Sequence, residues 1–225
     1  FTHLVDYDVV KLNPVREIRR PELDRSEGKT LAFSRQEARK ILDKPDPNTL
    51  LGLRDRAILS VGFQAGFRRE EIANLQVDSL HRNRGLDALW VKRKRKRNRQ
   101  SVTINPLTAS RIREYLDAAG HGDDLSGPLF RPVRNNGRGI ADLRRTLHPD
   151  AIDRILRKCA KRALGVTTGY SAHSMRTTFA TTALENAANI EEVQYAMGHA
   201  DVSTTKLYDR RGHTPEKAAA FFATY

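Results

Sequence analysis

Residues 92–97 read Lys-Arg-Lys-Arg-Lys-Arg, six cations without a break, and Arg99 follows after a single asparagine. Charges at this density repel one another, so the segment belongs in a solvated turn rather than in a core. Residues 88–93 and 100–105 flank it as short extended segments, with a further strand candidate at 79–82. The run therefore reads as the turn of a hairpin. Laid along a polyanion it gains, because each phosphate contact releases condensed counterions. The whole chain shares the bias, with 40 Lys+Arg against 27 Asp+Glu, a net charge of +13 and a pI near 10.2. Solubility alone explains charge that is spread over many faces, not charge gathered in one block. Nucleic acid is the leading partner. An anionic membrane surface comes second, since the run lacks an aromatic or leucine face for insertion.

At 225 residues, 39% of them hydrophobic, the chain is long enough to bury a core. Its longest nearly apolar stretch, 57–63, is far short of the ~20 residues of a membrane span. The single cysteine, Cys159, cannot form an internal disulfide. The chain opens Phe1-Thr2-His3 without a secretory pattern, and is expected to be a piece of a longer intracellular protein.

Residues 1–14 read as the end of a preceding unit and 15–30, charged and carrying Pro21, as a linker. A compact domain follows from about residue 31. Ser34 and Glu37 form a capping box for a helix through Leu42. A second helix is expected over about 50–65, with Gly66 as left-handed cap, and a short third one from 68 or 69 to 75. Asn105-Pro106 caps a helix through Ala119. Residues 120–140, Gly-rich and basic, are expected to be a mobile loop. Helices follow at about 149–164, 173–187, 189–197, 202–209 and 215–224. The class is α+β: mostly α with a small antiparallel β-sheet.

Three apparent signals carry no chemistry. Gly28-Lys29-Thr30 echoes a phosphate-binding loop, but Leu23 stands where that motif needs glycine, and no apolar strand precedes it. Paired cysteines, a His-x-x-x-His spacing and a close acidic cluster beyond Asp123-Asp124 are all missing from the sequence, which disfavours a two-metal nuclease. Cys159 shares a helix face with Ile152, Ile155 and Leu156 and reads as core.

The informative residues lie elsewhere. His173 and Arg176, three apart, share a helix face, and Arg68 follows a glycine at a helix start where free N–H groups favour an anion. Two guanidiniums can grip two oxygens of one phosphodiester. Tyr208, nine residues after His199, offers a phenolic nucleophile. Taken singly, these are an ordinary helix-end histidine, ion-pairing arginines and a half-buried aromatic. Their conjunction points to phosphoryl chemistry.

Four strings extend that conjunction: 65–72 (AGFRREEI), 171–181 (SAHSMRTTFAT), 197–200 (MGHA) and 203–208 (STTKLY). In order and spacing they resemble the catalytic domain of the tyrosine recombinases, the phage integrase family, over roughly residues 31–212. The resemblance implies that family's DNA breaking-rejoining fold, with 1–30 as the end of a separate core-binding domain and its linker. It implies double-stranded DNA as substrate, no metal, ATP or other cofactor, and a tetramer at synapsis. It makes Arg68 and Arg176 the clamp, His173 and His199 the two histidines, Tyr208 the nucleophile, and Glu71 an acidic residue orienting Arg68 or a neighbour. The family also uses a hairpin lysine. Counting forward from Val91 gives Lys94, while counting back from Val102 gives Arg95, so the assignment goes to Lys94 with Lys96 as alternative. Lys92, Arg93, Arg95, Lys96, Arg97 and Arg99 are expected to contact DNA. Thr177 stands where many relatives carry histidine, and changed packing is expected there.

The implied reaction is site-specific recombination or integration, on a phage, transposon or chromosomal element, in the bacterial cytoplasm at the nucleoid. Tyr208 attacks, leaving a 3′-phosphotyrosine, while Lys94 protonates the departing 5′ oxygen, His173 assists the tyrosine proton and His199 donates to a phosphate oxygen. Two other readings are a DNA-binding module that keeps the fold without catalysis and a type IB-like topoisomerase. The tail 213–225 offers an apolar face for docking on a neighbouring subunit or on its own domain. His3, His81, His121, His148 and His213 are left as structural or surface residues.

Overall fold

The computed structural model describes residues 1–16, 30–94, 96–134, 139–140, 145–165 and 168–209. Arg95, most of the linker and the expected C-terminal helix lie outside them. Nine α-helices and one three-stranded antiparallel sheet occur among the described residues, in the α+β arrangement expected. A short helix α1 (Thr2–Asp6) stands in the N-terminal segment.

Phe33, a core residue, donates its backbone N–H to Thr178 Oγ1, 2.8 Å away. In α2 (Arg35–Leu42) the Ser34 N–H reaches Glu37 at 2.8 Å and the Ser34 hydroxyl accepts from the Glu37 N–H, completing the capping box. The central helix is α3 (Leu50–Ala65), capped by Thr49 and buried almost all round, including Ala57, Ile58, Leu59 and Val61. An apolar stripe is absent because partners surround it: α5 (Pro106–Ala119) and α7 (Ala172–Glu185) both pack on it. α6 (Pro149–Leu164) covers α2 and α4 (Arg69–Ala73), and its Ile152, Ile155, Leu156 and Cys159 enter the core. Burial pushes the Cys159 thiol up to about 11, in keeping with a packing role.

A 3₁₀ turn at Val77–Ser79 leads into β1 (Leu80–Asn83), β2 (Leu86–Lys92) and β3 (Arg99–Thr103). Arg84 and Gly85 both have positive φ, +49° and +80°, as a tight turn between twisted strands requires. Leu80, Leu89 and Val102 stand in register on the face toward the core. His81 and Trp90 stack on the other face with ring centroids 4.5 Å apart.

Residues 120–134 depart from expectation. They are not a mobile loop: Leu129 and Phe130 are fully buried, Leu129 N–H donates to Leu75 O, and Val77 N–H donates to Gly127 O. Arg131, 1% exposed, pairs with Asp124 beneath them. Burial of a Leu-Phe pair outweighs the surrounding glycine and charge.

The helices α8 (Ile190–Met197) and α9 (Val202–Lys206) follow α7. With α7 they enclose a second small cluster, Ala180, Leu184, Val193, Met197 and Tyr208. α9 ends at Lys206, earlier than the expected 209, because Leu207 is its C-cap.

Gly66 closes α3 at φ +64°, and a Cβ there would lie 2.4 Å from Phe179 Cδ1. Gly120 caps α5 at φ +66° with nothing within 4 Å of its would-be Cβ. Gly66→Ala is expected to cost more than Gly120→Ala by about 1–3 kcal/mol, since the second carries only the left-handed backbone strain. Urea unfolding of both variants measures the difference. Equal losses would show that Phe179 gives way freely.

Candidate active site

The site is assembled where three chain reversals meet. At the first, α3 stops at left-handed Gly66, Phe67 turns inward at 1% exposure, and Arg68 becomes the N-cap of α4. The Glu71 carboxylate, 6% exposed, accepts from the Arg68 N–H at 2.9 Å and from the Arg68 guanidinium at 2.8 Å. The arginine is gripped at both ends, which fixes its direction while a third of its side chain remains open to solvent.

The second is the first turn of α7. Asp153 on α6 accepts the Ala172 N–H at 2.6 Å and so fixes where α7 begins. His173 and Arg176 then fall on one face. Arg176, 1% exposed, donates to Gly66 O at 2.6 Å and to Met197 O at 2.5 Å. Both acceptors lie at helix C-terminal ends, where unpaired carbonyls carry partial negative charge. Burial above all, then the charge of Arg68, brings the Arg176 pKa down to about 9, which leaves it a cation at neutral pH. His173 keeps an exposed edge. Loss of water on its inner side, followed by the charges of Arg176 and Arg68, lowers its pKa. Arg68, His173 and Arg176 line one cleft of about 190 Å³.

The third reversal follows α8. Gly198, at φ +62°, ends the helix, and His199 comes next. Its Nδ1 lies 2.9 Å from the hydroxyl of fully buried Thr205, and its ring lies nearly parallel to that of Tyr208, centroids 6.0 Å apart. Burial, followed by Arg176 and Arg68, pushes the His199 pKa down to about 3, so the imidazole is neutral at pH 7. With Nδ1 engaged by Thr205, Nε2 is the nitrogen left for a further partner. Tyr208, 8% exposed, is seated in the α7–α8 cluster, and its N–H donates to Thr205 O at 3.0 Å.

The hairpin holds one correction. Arg93, expected among the DNA-facing cations, is 4% exposed and points inward. It bonds Glu71 at 2.7 Å, Gln100 at 3.0 Å and the Ala196 carbonyl, and lies 5.0 Å from the centroid of Phe67. Strand alternation gives the reason: Leu89, Val91 and Arg93 share a face, and the first two are core. That period was the available signal, and the unbroken charge run hides it. Lys92, Lys94, Lys96 and Arg97 are exposed as expected, whereas Arg99 forms a two-pronged ion pair with Asp78, closest contact 2.9 Å. Arg95 lies outside the described residues.

Lys94 and Lys96 both line a cavity of about 780 Å³ shared with Arg68 and Glu71, and both line another of about 690 Å³ reaching His199. Position alone does not separate them. Thr177 donates its hydroxyl to the His173 carbonyl at 3.2 Å and is buried, so that position packs within α7. Sequence reasoning missed Thr205, Gln100 and Asp153, which act on the site through other residues. Among the described residues no group of three or more His, Cys, Asp or Glu side chains stands together as metal ligands would. None of the described helices is long and apolar enough to cross a membrane. The arrangement is a cationic cleft with a neutral histidine and a phenol beside it, suited to a phosphodiester whose charge grows during attack.

Residues 32–213 match the phage integrase family. The chain is 29% identical to the tyrosine recombinase XerD of Listeria innocua serovar 6a over 212 residues, 92% of this chain and 66% of that protein. It therefore spans a little under two thirds of that relative's length. The crystal structure of XerA recombinase shares the fold, with a TM-score of 0.64 at 24% identity, covering 88% of this chain and 67% of that one. The same fold recurs in a lambda integrase tetramer bound to a Holliday junction, with a TM-score of 0.63 at 13% identity, covering 95% and 57%.

The low pKa of His199 has a consequence for stability. A histidine held neutral in the fold but titrating near 6.5 when unfolded stabilises fully above that pH, and the contribution is lost as pH falls toward 3. Stability in urea should fall between pH 7.5 and 5, and fall less steeply in His199→Gln. Identical slopes would show that His199 titrates normally in the fold.

Proposed function

The chain belongs to the phage integrase family, and we propose that it is a site-specific recombinase that cleaves and rejoins double-stranded DNA through a 3′-phosphotyrosine. The observation that carries this reading is the pair of bonds made by Arg176. By binding Gly66 O and Met197 O it draws together Arg68, two residues after the first, and His199, two after the second. Tyr208 then stands against His199.

Arg68 and Arg176 hold the non-bridging oxygens of the scissile phosphate, with His199 Nε2 donating a third bond. The Tyr208 oxygen forms a bond to phosphorus as the bond to the 5′ oxygen breaks. The phenolic proton passes to His173, whose low pKa leaves it unprotonated and able to accept. The departing 5′ oxygen takes a proton from Lys94. Guanidiniums compensate the charge that builds on the phosphate, and the phosphotyrosine preserves the bond energy, so resealing in the reverse sense needs no ATP.

Kinship with proteins named as recombinases, and with a lambda integrase tetramer on a Holliday junction, supports the same chemistry and a tetramer at synapsis for this chain. In that setting residues 1–30 end a core-binding unit, residues 213–225 dock on a neighbour, and the work is done on DNA at the bacterial nucleoid.

Covalent capture tests the reading. The protein and its Tyr208→Phe variant are mixed, in EDTA, with a library of nicked duplexes that trap a cleaved strand. Wild type should give a denaturant-resistant adduct whose sequence identifies the site, and Tyr208→Phe should give none while binding the same duplex equally well. Arg176→Lys, which keeps a charge but loses the fork, should slow capture by about 10²–10³-fold. Tight binding with no adduct would favour the non-catalytic module, and relaxation of supercoiled plasmid without site preference would favour a topoisomerase.

A further inference from the structure

Arg93 is a buried cation that the reaction above does not use. Its three guanidinium nitrogens are all occupied: Nε donates to Gln100 at 3.0 Å, one terminal nitrogen to Glu71 at 2.7 Å, and the other to the Ala196 carbonyl. Each acceptor belongs to a different part of the site. Glu71 turns its other oxygen to Arg68. Gln100, across the hairpin, passes the connection on by donating to Tyr195 O at 2.8 Å. Ala196 lies in the last turn of α8, three residues before His199. Gly198 closes over the guanidinium so tightly that a Cβ there would stand 2.6 Å from Arg93 Nε.

We infer that Arg93 is a positioning residue that locks the base of the Lys94 hairpin to the Arg68 side of the site and to the segment carrying His199, so that the proton donor is presented to the leaving oxygen in register with the phosphate clamp. The inference rests on the recombinase reading, because only a reaction with a leaving alkoxide needs that register. Lys94 itself is exposed at a turn and has no fixed partner among the described contacts. Its direction therefore depends on the residue before it, whose side chain is held on three sides. Planar, three-way hydrogen bonding is a property of guanidinium that lysine cannot reproduce. A buried ion pair of this kind contributes fixed geometry more surely than net stability.

The test separates proton delivery from phosphate binding. The captured duplex is synthesised with either oxygen or sulfur at the bridging 5′ position, the sulfur needing no proton to leave. Single-turnover cleavage is measured with the full chain, Arg93→Met and Gln100→Ala. Arg93→Met is expected to lose about 10²-fold on the oxygen duplex, the usual worth of a general acid, and to cleave the sulfur duplex nearly as fast as wild type. Gln100→Ala, which removes one acceptor at the edge of the core, keeps the scheme testable if the first variant folds poorly. It should show the same bias at smaller amplitude. Equal losses on both duplexes, or no loss on either, would overturn the positioning role. A wild-type chain that cleaves neither duplex would overturn the recombinase reading and this inference with it.

Discussion

A single carboxylate, that of Glu71, organises the cationic centre. Buried at 6% exposure, it accepts from the backbone and side chain of Arg68 and from Arg93. Three arginines crowd this region, and like charges at such separations oppose assembly unless an anion sits among them. Glu71 satisfies Arg68 and Arg93 together, leaving Arg176 to backbone carbonyls. Arg68 and Arg176 both line the cleft, which on the proposed reading receives the negative charge of a phosphodiester. Glu71 holds Arg68 through both its N–H and its guanidinium, so the Arg68 end of the set keeps two bonds of its own beside the one that Glu71 makes to Arg93.

Backbone reversals supply the second ingredient. Helices α3 and α8 both end in left-handed glycines, and the carbonyls exposed at those ends receive the Arg176 guanidinium. The glycines serve close approach as well as conformation: Gly66 makes room for Phe179, and Gly198 for Arg93. Arg68, His199 and Tyr208 stand within two residues of a helix terminus, and His173 and Arg176 on the first turns of α7. A rigid scaffold thus sets the direction of these side chains.

Much of this was legible from local chemistry. Ser34 with Glu37, Asn105 with Pro106, and the Gly66 stop act through neighbours in sequence, and the helix expected at 149–164 has those bounds. The fold class was legible too, and Arg68, His173 and Arg176, which the short motifs single out, line one cleft. What stayed hidden depends on distant partners. Arg93 looked like one of six equivalent cations because its strand face becomes visible only when Leu89 and Val91 are seen to be core. The stretch containing Leu129 and Phe130 reads as loose chain because its glycines are local signals, whereas the partners that bury its two large apolar side chains are distant in sequence. Thr205 drew no notice, since its bond to His199 requires the turn between α8 and α9.

The most direct test of the account is a crystal structure of the full chain with a cleaved duplex and orthovanadate, which mimics the pentavalent phosphorus. Vanadium should be bonded to the Tyr208 oxygen and to the 5′ oxygen. Nitrogens of Arg68 and Arg176 should stand about 3 Å from its equatorial oxygens, with Glu71 still bridging Arg68 and Arg93. Vanadate held by another nucleophile, or a clamp formed after Glu71 has released either arginine, would contradict it.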